Sequence, residues 1–325
     1  MKKKDRCTNV REVIERNTGM AAAEFPFPRK GYDIHNLKNA KVMLAKALHN
    51  GTFIFIMSDY DVDGVASGCI FELLFRSAGY KNYRIRFPKR FSEGYGIRDS
   101  IVDEIPTGQD VLLITVDNGI TALSPIRKAK ERGIQTMVLD HHTPVTDPVT
   151  GEIILPEADL IVDQHAFPGQ GFDGYCGAGL AYKLCSAFIR PGHPVQEKML
   201  GFAAMATIAD VMPLVHDNRT IVTNGLKALT KYRTSGTEEL LKTYAMDRYL
   251  TAPDIGYYIG PSINAMSRMN DDGARMAFET LIYDGSTEKA RELAEKMHST
   301  NQQRKKLTEE SLESINSVIK EEGLD

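Results

Sequence analysis

The sequence predicts an α/β fold: a mainly parallel sheet flanked by helices, followed by a helical region and a long C-terminal connecting helix. Three observations point to it. Short apolar runs alternate with helical patterns between residues 51 and 215, and helices between successive strands make those strands parallel neighbours. Further helical patterns fill the next stretch of chain. From Ser286 to about Glu322 neither Gly nor Pro interrupts the chain, so one helix of roughly 50 Å is expected at ~1.5 Å rise per residue.

Residues 1–50 read as a helical lead-in with a Pro-containing connector, Phe25-Pro26-Phe27-Pro28. Phe53 to Met57 is a short apolar strand, followed by an acidic turn and an apolar helix from Val65 to Ala78 that Gly79 ends. Tyr83 to Phe87 alternates with period two, as a half-buried strand does. Val111 to Val116 is a nearly continuous apolar run, Thr121 to Arg132 a helix stopped by Gly133, Ile134 to Leu139 a strand and Leu160 to Val162 a short one. Helices are expected over 178–190, 195–209 and 218–232. In the tail, Ala290, Leu293, Ala294 and Met297 recur at helical steps, as do Leu312, Ile315 and Ile319, with only Leu307 between the two sets. Such a stripe either packs back on the core or belongs to a connector.

Composition narrows the function classes. With 325 residues, 42% hydrophobic and 26% charged, the chain is of ordinary globular make-up and long enough for about two domains. The apolar run Phe53–Met57 is far too short to cross a bilayer, and Asn9 to Thr18 is too polar for a signal-peptide core despite Lys2, Lys3 and Lys4. The four cysteines (Cys7, Cys69, Cys176, Cys185) contain no CxxC pair. That suits a reduced cytoplasm and argues against a Cys-bound zinc or iron–sulfur centre. A net charge of −3 means that a nucleic-acid partner must be held by a local basic patch.

The strongest chemical signal is Asp59-Tyr60-Asp61-Val62-Asp63-Gly64 directly after a strand. Extended backbone would put Asp59, Asp61 and Asp63 on one face, where they repel one another unless a cation sits among them. A solvated acidic turn is the plain alternative, disfavoured by apolar flanks on both sides. The calcium loop that also begins DxDxDG needs Glu at its twelfth position; Ile70 stands there. Two further strands end in Asp117-Asn118-Gly119 and Asp140-His141-His142, and Asp210 sits in the apolar stretch Ala206–Leu214. Alone, Asp117 reads equally as a helix cap, and Asp210 more readily as one. Together, oxygen ligands with a minor imidazole share suit manganese or magnesium better than zinc or copper, and so many acids suggest two ions, able to clamp a phosphoryl group and activate water.

In this order and spacing, DYDVDG, VDNGI, DHH and ATIADVMPL resemble the DHH phosphoesterase superfamily, and closely its RecJ exonuclease branch. Further matching blocks are Pro88-Lys89-Arg90 with Glu93-Gly94-Tyr95-Gly96, Leu155 to Asp159, Cys176 to Gly179, Asp217-Asn218-Arg219, and Gly260-Pro261 with Ile263-Asn264-Ala265. The resemblance covers roughly residues 50 to 310. It implies two Mn²⁺ (or Mg²⁺) held by Asp59, Asp61, Asp63, Asp117, His141 and Asp210, with Asp117 as the bridge. His142 falls at the scissile phosphate as hydrogen-bond donor or leaving-group acid, and Asp140 orients a histidine. Arg268 would grip a phosphate, joined at the substrate by Asn264, Arg90 and Tyr95. The domains expected are the lead-in (1–50), a DHH catalytic domain (51–215), a helical extension with the substrate-gripping segment (216–285) and the connecting helix (286–325). Most or all of the family's C-terminal DHHA1 domain is expected to be missing. The chain departs from the family at Asp163-Gln164 (usually Asn-Pro), Ser262 (often Arg) and Ser267 (usually Gly).

Independently of the family, Lys81, Arg84, Arg86, Lys89, Arg90 and Arg98 lie close in sequence with Phe87, Phe91 and Tyr95 interleaved. Cations track phosphates and aromatic faces stack bases. The activity expected is a two-metal phosphodiester hydrolase, a 5′→3′ exonuclease on single-stranded DNA, with repair or replication proteins as further candidate partners, no membrane, and a cytoplasmic location. The alternatives are a family hydrolase of oligonucleotides, cyclic dinucleotides or polyphosphate, and a non-catalytic replication or repair scaffold.

Overall fold

The structure, a computed structural model, describes residues 10–18 and 33–322. The lysines at 2–4, Cys7 and the Phe25–Pro28 connector lie outside them. Seven strands are present among the described residues: β1 Phe53–Ser58, β2 Tyr83–Arg86, β3 Val111–Val116, β4 Gln135–Leu139, β5 Val145–Thr146, β6 Ile153–Ile154 and β7 Leu160–Val162. The helices are α1 Val10–Thr18, α2 Leu37–Asn50, α3 Val62–Ser77, α4 Asp99–Asp103, α5 Leu123–Glu131, α6 Gly177–Cys185, α7 Pro194–Ala209, α8 His216–Lys231, α9 Ser235–Thr243, α10 Ala252–Asp254, α11 Gly260–Met269, α12 Gly273–Ile282 and α13 Thr287–Glu322.

Five strands form one sheet in the order β2-β1-β3-β4-β7, every pair parallel. The apolar runs explain the arrangement, since strands of a parallel sheet are covered on both faces. Ile54, Ile56, Leu112, Ile114, Met137 and Leu139 point into a large core shared with α3, α6 and α7. Their neighbours Phe55, Met57, Leu113 and Val138 point into a smaller one beneath α4 and α5. The chain leaves β1 to one side for β2, then crosses back to β3 on the other, so strand order reverses between β1 and β3. Such a reversal opens a crevice at the carboxyl ends of the two strands.

The predicted strands are all present, with ends shifted by a residue or so. The helix expected from Val65 begins at Val62, because Asp61 caps it. A two-stranded antiparallel hairpin, β5 with β6, was not foreseen. Residues from α8 to α12 extend the large core without a break. The first half of α13 buries Ala290, Ala294 and Met297, while its second half exposes Leu307, Leu312, Ile315 and Val318. The predicted stripe therefore packs back on the core only as far as Asn301. Among the described residues no helix is long and apolar enough to cross a membrane.

Candidate metal centre

The acids gather where the strand order reverses. Asp59 follows β1 and is buried. Asp61 then caps α3, its Oδ1 accepting the N–H groups of Asp63 (3.0 Å) and Gly64 (3.1 Å), and Asp63 lies in the first helical turn. The extended face expected for Asp59, Asp61 and Asp63 is therefore corrected: the segment is a strand end running straight into a helix. The physical reason is that carboxylates satisfy the unpaired N–H groups at a helix start and favour its dipole. Gly64 makes the sharp entry possible, since a Cβ there would lie 2.3 Å from the Asp59 carbonyl oxygen.

Asp117 follows β3 in the left-handed region, φ 61°, which Asp tolerates better than most residues. It is wedged against Gly177, where an added Cβ would approach the Asp117 Cβ to 2.6 Å. Next to it, buried Asn118 donates from Nδ2 to the carbonyls of Met57 (3.0 Å) and Val116 (2.9 Å), stitching β1 to β3 at the crevice. After β4 comes buried Asp140, which accepts from the N–H groups of Ile120 (2.9 Å) and His141 (2.8 Å) and holds His142 Nδ1 at 2.8 Å. Asp210 closes the carboxyl end of α7.

These side chains meet around one imidazole. His141 Nε2 lies 3.0 Å from Asp117 Oδ1, 3.4 Å from Asp63 Oδ2 and 3.9 Å from Asp210 Oδ2. Three sets of ligand atoms each lie within 4.8 Å of one another: Asp59, Asp61 and Asp117; Asp63, His141 and Asp210; Asp117, His141 and His142. All six residues expected to hold metal belong to these sets, and Asp117 is common to two. Asp63 is further fixed by the N–H groups of Gly177 (2.6 Å) and Ala178 (2.7 Å) at the start of α6.

The electrostatics call for a cation. Burial pushes the Asp59 carboxyl well above the usual range, and the charge of Asp61 adds to it. Burial does the same to Asp117, reinforced by Asp63, Asp61 and Asp59, and it raises Asp61, reinforced by Asp63, against the N–H groups of Gly64 and Asp63. Asp210 is pushed up to about 6 by burial and Asp63. One oxygen each of Asp59 and Asp117 is buried with no hydrogen-bond partner. Packed carboxylates with unsatisfied oxygens are costly unless paired or bound to metal, so this donor set fits a divalent ion.

A polar and aromatic face flanks the acids. The Tyr95 hydroxyl lies 3.2 Å from His142 Nδ1 and donates to the Asp117 carbonyl at 3.2 Å. The Tyr60 ring meets Tyr95 edge-on at 6.3 Å, and the Arg90 guanidinium stacks 4.7 Å from the Tyr60 centroid. Burial and Asp59 push the Tyr60 hydroxyl up while Arg90 and Arg268 act against them. Burial alone would lower His142, but Asp140, with Asp63 and Asp59, lifts it to about 9. Asn264, on α11, directs its Oδ1 to the Val62 N–H at 3.1 Å.

The basic patch is narrower than its sequence suggests. Arg86 is held by Glu93 (2.5 Å) and Glu104 (3.0 Å), and Lys89 lies 3.8 Å from Asp272. Phe87 is buried against Phe278, ring centroids 5.3 Å apart. Lys81, Arg84, Arg98, Phe91 and Tyr95 remain exposed and Arg90 is half-buried. Asp163 and Gln164 are buried in a turn after β7: Asp163 Oδ1 accepts the N–H groups of His165 and Ala166, and Gln164 Nε2 donates to the Tyr175 carbonyl. Tyr60 and Asn118 escaped the residue-by-residue reading. Tyr60 was recognisable as the only large side chain inside the acidic turn, whereas nothing in the sequence marks Asn118 as a clamp between two strands.

Residues 53–207 match the model of the DHH family, N-terminal domain. A crystal structure of exonuclease RecJ bound to manganese superposes with a TM-score of 0.76 at 31% identity, covering 87% of this chain and 69% of that one. This chain belongs to the RecJ branch of the DHH family. The single-stranded-DNA-specific exonuclease RecJ of Salmonella typhimurium is 32% identical over 292 residues, 84% of this chain and 48% of that protein. The Bacillus subtilis protein of the same name is 32% identical over 304 residues, 92% of this chain and 36% of that protein. The chain thus spans about half or less of the length of these curated RecJ relatives. RecJ structures carry Mn²⁺ or Mg²⁺, the same class of ion that the acids and imidazole described above suit.

Proposed function

We propose that this chain is the catalytic core of a metal-dependent phosphodiester hydrolase that shortens single-stranded DNA from its 5′ end. The observation that carries the reading is the convergence of Asp63, Asp117 and Asp210, from three separate elements, within 3.9 Å of one imidazole nitrogen. Two Mn²⁺ ions, with Mg²⁺ as substitute, suit the donors: Asp59 and Asp61 would hold one, Asp63, His141 and Asp210 the other, and Asp117 both. Bound there, such ions polarise the phosphodiester and lower the pKa of water. The protein's own groups do the rest. His142, half-exposed, would offer a proton to a phosphate or leaving-group oxygen, and Asp140, which favours its charged form, fixes its ring. The Tyr95 hydroxyl lies 3.2 Å from the same ring nitrogen, Nδ1. Arg90 and Arg268 supply positive charge for flanking phosphates, and Tyr60 and Phe91 offer faces for unstacked bases.

The single-stranded DNA comes from the likeness to RecJ, whose curated members are named single-stranded-DNA-specific exonucleases, and the 5′ polarity is what the sequence motifs' resemblance to that branch implies. Buried free thiols at Cys69, Cys176 and Cys185 support the cytoplasm as its compartment. Repair or replication proteins are the further partners this reading implies. The test is incubation with Mn²⁺ and 5′- or 3′-labelled single strands, beside the variant Asp117→Asn. Mononucleotides released from the 5′ end by the wild type alone are expected. Turnover confined to dinucleotides would move the assignment to a small-oligonucleotide hydrolase. No turnover of any phosphodiester with any divalent ion would leave a scaffold.

A further inference from the structure

The start of α3 carries two of the acids, and its first N–H groups need acceptors. Asp63 and Gly64 donate to the Asp61 side chain, and Val65 donates to the Asp61 carbonyl. That leaves Val62, whose N–H stands between Asp61 and Asp63. Its acceptor comes from a sequence distance of 202 residues, the side-chain oxygen of Asn264 at 3.1 Å.

Asn264 belongs to a face of α11 with residues at four-residue steps. Gly260, one turn earlier, lies so close that a Cβ there would stand 3.3 Å from the Ala209 Cβ and 3.9 Å from the Val62 Cγ2. Arg268, one turn later, acts on Tyr60. The rear of α11 is braced: buried Ser262 bonds the Tyr244 hydroxyl at 2.5 Å and accepts from Asn301 Nδ2 of α13 at 3.1 Å. One helix therefore touches both the acidic loop and the end of the helix leading to Asp210.

We infer that Asn264 is a positioning residue: its side-chain carbonyl fixes the Asp61–Asp63 backbone and so sets the loop's carboxylates relative to Arg268. The inference rests on the metal-centre reading, and its role is to hold a ligand loop rather than to touch DNA. Partners that orient ligands in this way affect metal affinity about 10–100-fold when removed.

The experiment compares the wild type with Asn264→Leu, of similar shape but with no acceptor, and Asn264→Asp, which keeps one. Two quantities are read on protein whose fold circular dichroism confirms: Mn²⁺ affinity by titration calorimetry, and amide hydrogen exchange of the segment from Asp59 to Val65 in EDTA. The leucine variant is expected to bind Mn²⁺ about tenfold more weakly and to exchange faster at Val62; the aspartate variant restores both. Arg268→Ala is expected to leave both at wild-type values while raising KM for DNA. If the leucine variant does not fold, Asn264→Ser, whose hydroxyl falls short of Val62, takes its place. Unchanged exchange at Val62, or wild-type Mn²⁺ affinity in the folded variant, overturns the inference. A wild type that binds no Mn²⁺ would instead refute the metal centre, and the exchange measurement would still decide whether Asn264 holds the loop.

Discussion

Single residues set the chemistry, and Asp140 illustrates how. It is buried, ionised more readily than an ordinary carboxylate because His142 and backbone N–H groups outweigh the effect of burial, and it touches none of the acids that would hold metal. Its influence runs through His142. In Asp140→Asn the attraction is gone while burial remains, so the His142 pKa should fall from about 9 toward or below its ordinary value near 6.5. NMR titration of histidine-labelled, metal-free protein reads this directly; an unmoved His142 resonance would refute the role given to Asp140. The acids themselves were legible because a carboxylate embedded in apolar sequence is expensive without a purpose. Their local geometry was not. Asp61 serves as helix cap as well as candidate ligand, and a cap and a ligand look alike in sequence.

At the scale of elements, apolar runs disclosed β1, β3, β4 and β7, because strands covered on both faces have no polar alternation to obscure them, and period-two alternation disclosed the half-buried edge strand β2. The strand order was hidden, since it depends on which distant runs pair. The two-residue strands β5 and β6 were too short to show a period. Two of the six cations of the basic patch were hidden for a related reason: Glu104 and Asp272, which engage Arg86 and Lys89, come from other elements. Helix α13 divides into a packed half and an exposed half at Asn301, which is fully buried and bonded to Ser262 and Arg304. Asn301→Ala strips those buried partners, and a loss of about 1–3 kcal/mol is expected, measurable by urea denaturation. An unchanged midpoint would mean that α13 is not braced to α11 through this residue.

Across the whole molecule, the site couples stability to pH. His142 is lifted to about 9, Asp163 to about 7 by burial and Asp140, and Asp210 to about 6 by burial and Asp63. In each case the folded protein binds the proton more tightly than the unfolded chain does. That stabilising contribution is complete at low pH and lost as pH rises through the folded values. Metal-free protein should therefore melt at progressively lower temperature between pH 6 and pH 9, and Mn²⁺ should raise the midpoint most at the alkaline end. Scanning fluorimetry in EDTA and in Mn²⁺ tests this, and a flat or rising EDTA profile would contradict it. The left-handed turn at Asp117 has a different sequel, one of descent. Few residues accept that backbone, and Asn is among them. A single-base codon change from Asp to Asn would thus silence the centre while leaving the architecture undisturbed, so a lineage could shed its chemistry in one step and keep a folded body for other duties.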